Sequence, residues 1–75
     1  MNSLVTQMIV AERYGLRLSV KELAELTKLT EGTVRNQISA QTFPIPTYNE
    51  GGKRWAAYQD VAAYLDQMSE QARAA

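Results

Sequence analysis

The sequence predicts a mainly helical domain that carries a small β-hairpin. Three observations lead there. Apolar residues recur at helical spacing in four separate segments, residues 3–14, 20–27, 31–40 and 58–71. The segment Phe43-Pro44-Ile45-Pro46 cannot be helical, because its prolines remove backbone donors and fix φ. The pair Gly51-Gly52 stands between Tyr48-Asn49-Glu50 and Lys53-Arg54-Trp55, where a hairpin needs its tip. At 75 residues the chain makes one domain. It divides into an N-terminal helix (1–15), a central unit (16–57) and a C-terminal helix (58–75).

The first helix runs from Ser3 to Tyr14, with Asn2 or Ser3 as its cap and Gly15 as its end. Leu4, Val5, Met8 and Ile9, continued by Ala11, form one apolar stripe. That stripe serves either the core or a dimer face. Leu16-Arg17-Leu18 alternates as a short strand does. Ser19 followed by Glu22 is a capping box, in which each side chain satisfies a free amide at a helix start. The helix it opens runs from Val20 to Thr27, with Val20, Leu23 and Ala24 inward and Leu26 or Thr27 next.

Lys28 and Leu29 make a tight turn, and Thr30 caps the next helix, which carries Glu31 in its first turn and reaches Ala40. Val34 and Ile38 point inward, leaving Thr33, Arg35, Asn36, Gln37 and Ser39 outside. Two short helices, a tight turn and a polar outer face on the second form the pattern of a helix-turn-helix, which presents one helix to the major groove of DNA. Phe43 and Ile45 dip from the proline segment into the core. The hairpin that follows, from Tyr48 to Ala57, takes the place of a wing, with Trp55 placed in the core. The last helix starts between Tyr58 and Asp60 and runs to Gln71, with Val61, Leu65, Met68 and Ala72 on one face and Ala72 to Ala75 fraying. Tyr58 and Tyr64 seal it against the sheet. The expected fold class is therefore mainly α with a small β-hairpin wing, a winged helix-turn-helix.

Composition narrows the function. The chain has no Cys and no His, which excludes disulfides, thiolate chemistry and the usual zinc ligands. No cofactor or metal is expected. Nothing demands an oxidising compartment, so the cytoplasm is the expected location. No segment is long enough to span a membrane, and the N-terminus does not read as a signal peptide. The acids are scattered over helix faces, and neither GxxxxGK[ST] nor GxGxxG occurs, so the chain is not expected to be an enzyme. Eight basic and eight acidic residues give a formal net charge of zero. Their distribution is uneven: Arg35, Lys53 and Arg54 stand against Glu50 in residues 32–57, whereas Arg73 stands against Asp60, Asp66 and Glu70 in residues 58–75. A mildly basic middle is followed by an acidic tail, so if the middle meets DNA the tail faces away.

Two places carry the chemistry of double-stranded DNA recognition. Arg pairs bidentately with guanine, and Asn or Gln with adenine. Arg35, Asn36 and Gln37 bring those side chains together on one helix, with Thr33 available for a phosphate or a thymine methyl. At the hairpin tip, Gly51 and Gly52 allow close approach to a phosphate and Lys53 and Arg54 supply charge, Arg54 alternatively entering the minor groove. Lys28 and Lys21 are further phosphate candidates.

The segments Leu18-Ser19-Val20-Lys21-Glu22-Leu23-Ala24, Thr30-Glu31-Gly32-Thr33-Val34-Arg35, Phe43-Pro44-Ile45-Pro46, Gly51-Gly52-Lys53-Arg54-Trp55 and Gln59-Asp60-Val61-Ala62-Ala63-Tyr64-Leu65 occur in this order over about two-thirds of the chain. Together they resemble the excisionase-like, AlpA-type winged helix-turn-helix proteins, relatives of the MerR DNA-binding domain. The first helix and Asp60-Val61-Ala62-Ala63-Tyr64-Leu65-Asp66 also resemble, more loosely, the pyocin-activator type of regulator. The resemblance implies a small phage or prophage protein that directs an integrase toward excision, controls promoters, or does both. Gln37 stands where the family often has an aromatic residue, and Lys28 where it often has glycine. Neutral net charge points to affinity built from several copies, with self-association through Leu4, Val5, Met8 and Ile9 or along DNA. The rival expectation is a protein-binding module, an anti-repressor or regulatory subunit, using that same apolar face.

Overall fold

The computed structural model describes residues 4–74. Four helices and three strands follow in the order α1 (Leu4–Tyr14), β1 (Arg17–Ser19), α2 (Val20–Thr27), α3 (Glu31–Ser39), β2 (Tyr48–Glu50), β3 (Lys53–Ala57) and α4 (Tyr58–Ala74). The strands form one antiparallel sheet in the order β1-β3-β2. The architecture is thus mainly helical with a small sheet, as expected. The anticipated start of α1 at Ser3 and its cap at Asn2 or Ser3 lie outside the described residues, as does Ala75.

The helix boundaries are written in local chemistry. At the start of α2 the Ser19 amide donates to Glu22 Oε1 at 2.9 Å, and Ser19 Oγ accepts from the Glu22 amide at 3.3 Å. This reciprocal pair satisfies two amides that a helix start otherwise leaves open. Thr30 Oγ1 accepts from the Thr33 amide at 3.1 Å and opens α3 the same way. Both helices close through a left-handed residue that is not glycine: Lys28 at φ 63° and Gln41 at φ 60°. The Leu29 amide donates to the Ala24 carbonyl at 3.0 Å, and the Thr42 amide to the Gln37 carbonyl at 2.8 Å. These bonds return the chain across the last turn and satisfy carbonyls that the helix cannot.

The core contains Leu18, Leu23, Val34, Ala56, Val61 and Ala62, all wholly buried, with Ile45, Val10, Val20 and Ala24 around them. All four helices and the sheet contribute, and Ile45 anchors the proline segment, with Phe43 half-buried against the core. Among the described residues no polar or charged side chain is buried. Leu18 on β1 lies opposite Ala56 on β3, so one cross-strand pair joins the sheet to the helices. Full burial of a leucine contributes roughly 1.5–3 kcal/mol, against a total of only ~3–5 kcal/mol for a core of this size.

Three expectations are corrected. The stripe Leu4, Val5, Met8 and Ile9 is not part of the core: its residues are 60–69% exposed. α1 instead turns Val10 inward, with Tyr14 half-buried against the core. The Thr6 hydroxyl donates to Asp66 on α4 at 2.8 Å and fixes that orientation. The helix is apolar on two faces, and only one meets α4. Trp55 is only half-buried, because Ala56 takes the inward position of β3. α4 continues to Ala74, two turns past its last contact with the core, so Met68 and Ala72 lie in the exposed part of the helix.

The left-handed Lys28 gives a stability test. A side chain in that conformation costs roughly 1–2 kcal/mol, partly offset by the greater freedom of an unfolded glycine. Lys28→Gly is expected to stabilise the domain by about 0.5–1 kcal/mol and raise the thermal midpoint by several degrees, read by circular dichroism. A lower midpoint would show that the Lys28 side chain contributes more than its backbone costs.

Candidate nucleic-acid interface

Chain order and strand pairing bring the hairpin β2–β3 beside α3. β1 runs directly into α2 at Ser19, α3 packs on α2, and β3 pairs with β1. The hairpin therefore inherits its position from the start of α2. Its two-residue tip has Gly51 at φ 63° and Gly52 at φ 79°, the doubly positive geometry of the tight turn that matches strand twist.

Between the hairpin and α3 lies a cleft of about 360 Å³, lined by Ser19, Val20, Lys21, Glu31, Arg35, Gly52, Lys53, Arg54 and Trp55. Four cations from three separate elements line it, against the single carboxylate of Glu31. Arg54 shares a strand face with buried Ala56, so it points toward the helices. It also lines two adjoining recesses, one with Arg35, Ile38 and Ser39 and one with Phe43, Ile45 and Thr47. Arg35 reaches Glu31 one turn earlier at 3.9 Å, with both side chains more than half exposed. A pair so long and so solvated contributes little and leaves most of the guanidinium's donors unused.

The opposite face of the sheet holds a second cluster. The Arg17 guanidinium lies over the Trp55 ring, 4.0 Å from its centroid, and donates to Glu50 Oε1 at 3.0 Å. The bond to Glu50, supported by Tyr48, raises the Arg17 guanidinium above its ordinary pKa. Arg17 thus ties β1 to both strands of the hairpin. It also explains where Trp55 sits: a half-buried ring on the outer face, covered by a cation rather than by the core.

The residues singled out from sequence fall into three groups. Arg35 and Asn36 are exposed on α3, and Lys53 and Arg54 are exposed on the hairpin, where they line the cleft with Arg35. Thr33 and Gln37 sit one turn apart on the flank of α3 and are half-buried. The Thr33 hydroxyl accepts from Thr30 Oγ1 at 2.9 Å, so it takes part in the cap. Lys28 is not brought to this cleft; it lines a separate groove with Ile9, Arg13, Glu25 and Leu65. Lys21 does reach the cleft, and Ser39, one turn after Arg35, lines the recess beside it. Arg17 escaped notice in the sequence, since the only signal was its alternation with Leu18. Among the described residues no group of His, Cys, Asp or Glu could hold a metal ion, and no helix is long and apolar enough to cross a membrane.

Comparison with known protein families, with curated proteins and with solved structures finds no match for this chain.

Trp55 is the chain's single tryptophan, so its emission reports the Arg17 stack. Arg17→Ala is expected to shift that emission to the red and to speed amide exchange at Tyr48–Glu50, because the hairpin loses its tie to β1. Unchanged emission and exchange would mean that Arg17 does not hold the hairpin in solution.

Proposed function

We propose that this chain is a winged helix-turn-helix protein that binds double-stranded DNA. α3 enters the major groove, and the β2–β3 hairpin, as the wing, contacts the adjacent backbone or minor groove. The observation that carries the proposal is the convergence of Lys21, Arg35, Lys53 and Arg54 around one cleft, beside an exposed Arg35-Asn36 pair. A neutral chain that gathers four of its eight cations on one surface has the electrostatic footprint of a polyanion site despite its zero sum.

Roles follow from position. Arg35 and Asn36 have the free donors and acceptors that base edges require. Thr33 and Gln37, on the flank, contribute through phosphates or packing rather than as principal readers. Lys21, Lys53 and Arg54 meet phosphates, which fix register without reading sequence. Three such contacts imply a salt slope of only about −3 on a double-logarithmic plot. One copy therefore binds weakly by the standard of repressors with six to ten phosphate contacts. The resemblance to excisionase-like proteins supports a place for the chain among phage or prophage regulators acting on DNA in the cytoplasm, at attachment sites, promoters or both, and with an integrase as partner. No cofactor and no catalytic step enter this reading.

Footprinting on the DNA flanking the chain's own gene tests it. Protection is expected at low salt, over a short site. Arg35→Ala is expected to cost ~1–3 kcal/mol on that site and to relax the preference at the base it reads. Lys53→Ala is expected to weaken all sequences alike and to lower the salt slope by about one. Absence of protection at low salt would sink the DNA-binding reading.

A further inference from the structure

The outer face of α1 has no counterpart in the DNA-binding account. Leu4, Val5, Met8 and Ile9 are exposed by 69, 64, 62 and 60%, on two successive turns of one helix. The face extends onto α4. Ile9 and Leu65 line the same groove, of about 400 Å³, and Met68, 37% exposed, lies one turn beyond Leu65 on the same side of α4. A ridge of apolar side chains thus runs beside a groove lined by apolar Val10, Leu26 and Leu65 and by charged Arg13, Glu25 and Lys28.

We propose that a second copy of this chain occupies this face, its α1 packed against α1 about a twofold axis, the ridge of each copy entering the groove of the other. Such an isologous contact uses one patch twice, so a ridge and a groove on the same patch are what it requires. Three further observations favour a second copy. First, the surface is too large for the mass. The chain exposes 5209 Å², about 600 Å² more than expected for a folded monomer of 8.4 kDa. A standard interface takes about 800 Å² from each partner, and the α1 face shares this excess with the end of α4 that runs past the core. Second, the rim is charge-balanced. Glu12 and Arg13 follow the stripe and Glu25 and Lys28 line the groove, two charges of each sign, and the stripe itself carries none. A membrane-surface helix would instead carry a Lys- and Arg-rich polar face, which α1 lacks. Third, the placement leaves the cleft open. The groove reaches the end of α2 at Glu25, Leu26 and Lys28 but takes no lining residue from α3 or the hairpin, so dimerisation leaves both uncovered. If the DNA-binding reading holds, the pair presents two α3 helices to an inverted-repeat site and doubles the phosphate contacts.

The proposal rests on the α1 face alone and is tested without DNA. Sedimentation equilibrium of the full chain from about 1 μM to about 1 mM, the range in which modest interfaces populate, is expected to show a shift from the 8.4 kDa monomer to twice that mass. Met8→Glu and, separately, Val5→Lys are expected to weaken the dimer at least tenfold. Both sites are more than half exposed, so the circular dichroism of each variant should match that of the parent. Arg35→Ala is expected to leave the dimer unchanged, which separates this outcome from the fate of the DNA-binding reading. A monomer at every concentration overturns the proposal. So does a dimer that survives both charged substitutions, or a monomer that sediments with anionic phospholipid vesicles.

Discussion

The pairing of β3 with β1 is the constraint from which the remaining geometry descends. β1 is only three residues long, yet its middle residue Leu18 is wholly buried against Ala56, and its last residue Ser19 caps α2. A single short strand therefore connects the hairpin, the core and the first turn of α2. Were that pairing absent, the hairpin would be an isolated two-stranded ribbon, which is marginal in water. With it, the tip at Gly51-Gly52 stands beside α3, and Lys53 and Arg54 line one cleft with Arg35. Strand alternation then sorts the charges. Arg54 shares a face with Ala56 and turns toward the helices, while Arg17 shares the outer face with Trp55 and closes over its ring. One cation is left available and the other is spent on holding the hairpin.

Much of this was readable where the causes are local. Ser19 with Glu22, Thr30 with its first-turn amide, Gly51-Gly52 at a hairpin tip and the two prolines after α3 each act within a few residues, and each element was expected within two or three residues of where it stands. What escaped depends on distant partners. Trp55 and Ala56 are neighbours on a strand, and which of them faces inward is decided by the register with β1, since a one-residue slip exchanges the two faces. The bulky ring is the natural candidate for the core, but the register places Ala56 opposite Leu18 and turns Trp55 to the outer face. In α1 two apolar faces compete, and the choice falls to Val10 because Thr6 finds Asp66 on α4, some sixty residues along the chain. Thr33 and Gln37 were grouped with Arg35 and Asn36 from their polarity, yet only the latter pair stands fully clear of the rest of the domain.

The two surfaces divide the labour implied by a neutral chain. One gathers cations between α3 and the hairpin; the other is uncharged and lies on α1 beside the end of α4. On the proposed reading, about three phosphate contacts on each copy would give weak binding by electrostatics alone, and the proposed second copy would strengthen it without making the surface broadly basic. The core offers no alternative switch, since among the described residues it holds no titratable or polar side chain that a change of pH or ligand would disturb.

The central claim is that α3 and the hairpin act as one DNA-contacting surface. Amide chemical-shift mapping of the labelled chain, titrated at low salt with a duplex from beside its own gene, tests it most directly. The account predicts shifts that cluster at Lys21, Arg35, Asn36 and Gly51–Arg54 and saturate together, with Leu4–Ile9 silent apart from any change in self-association. Shifts confined to α1, or none at saturating duplex, would contradict it.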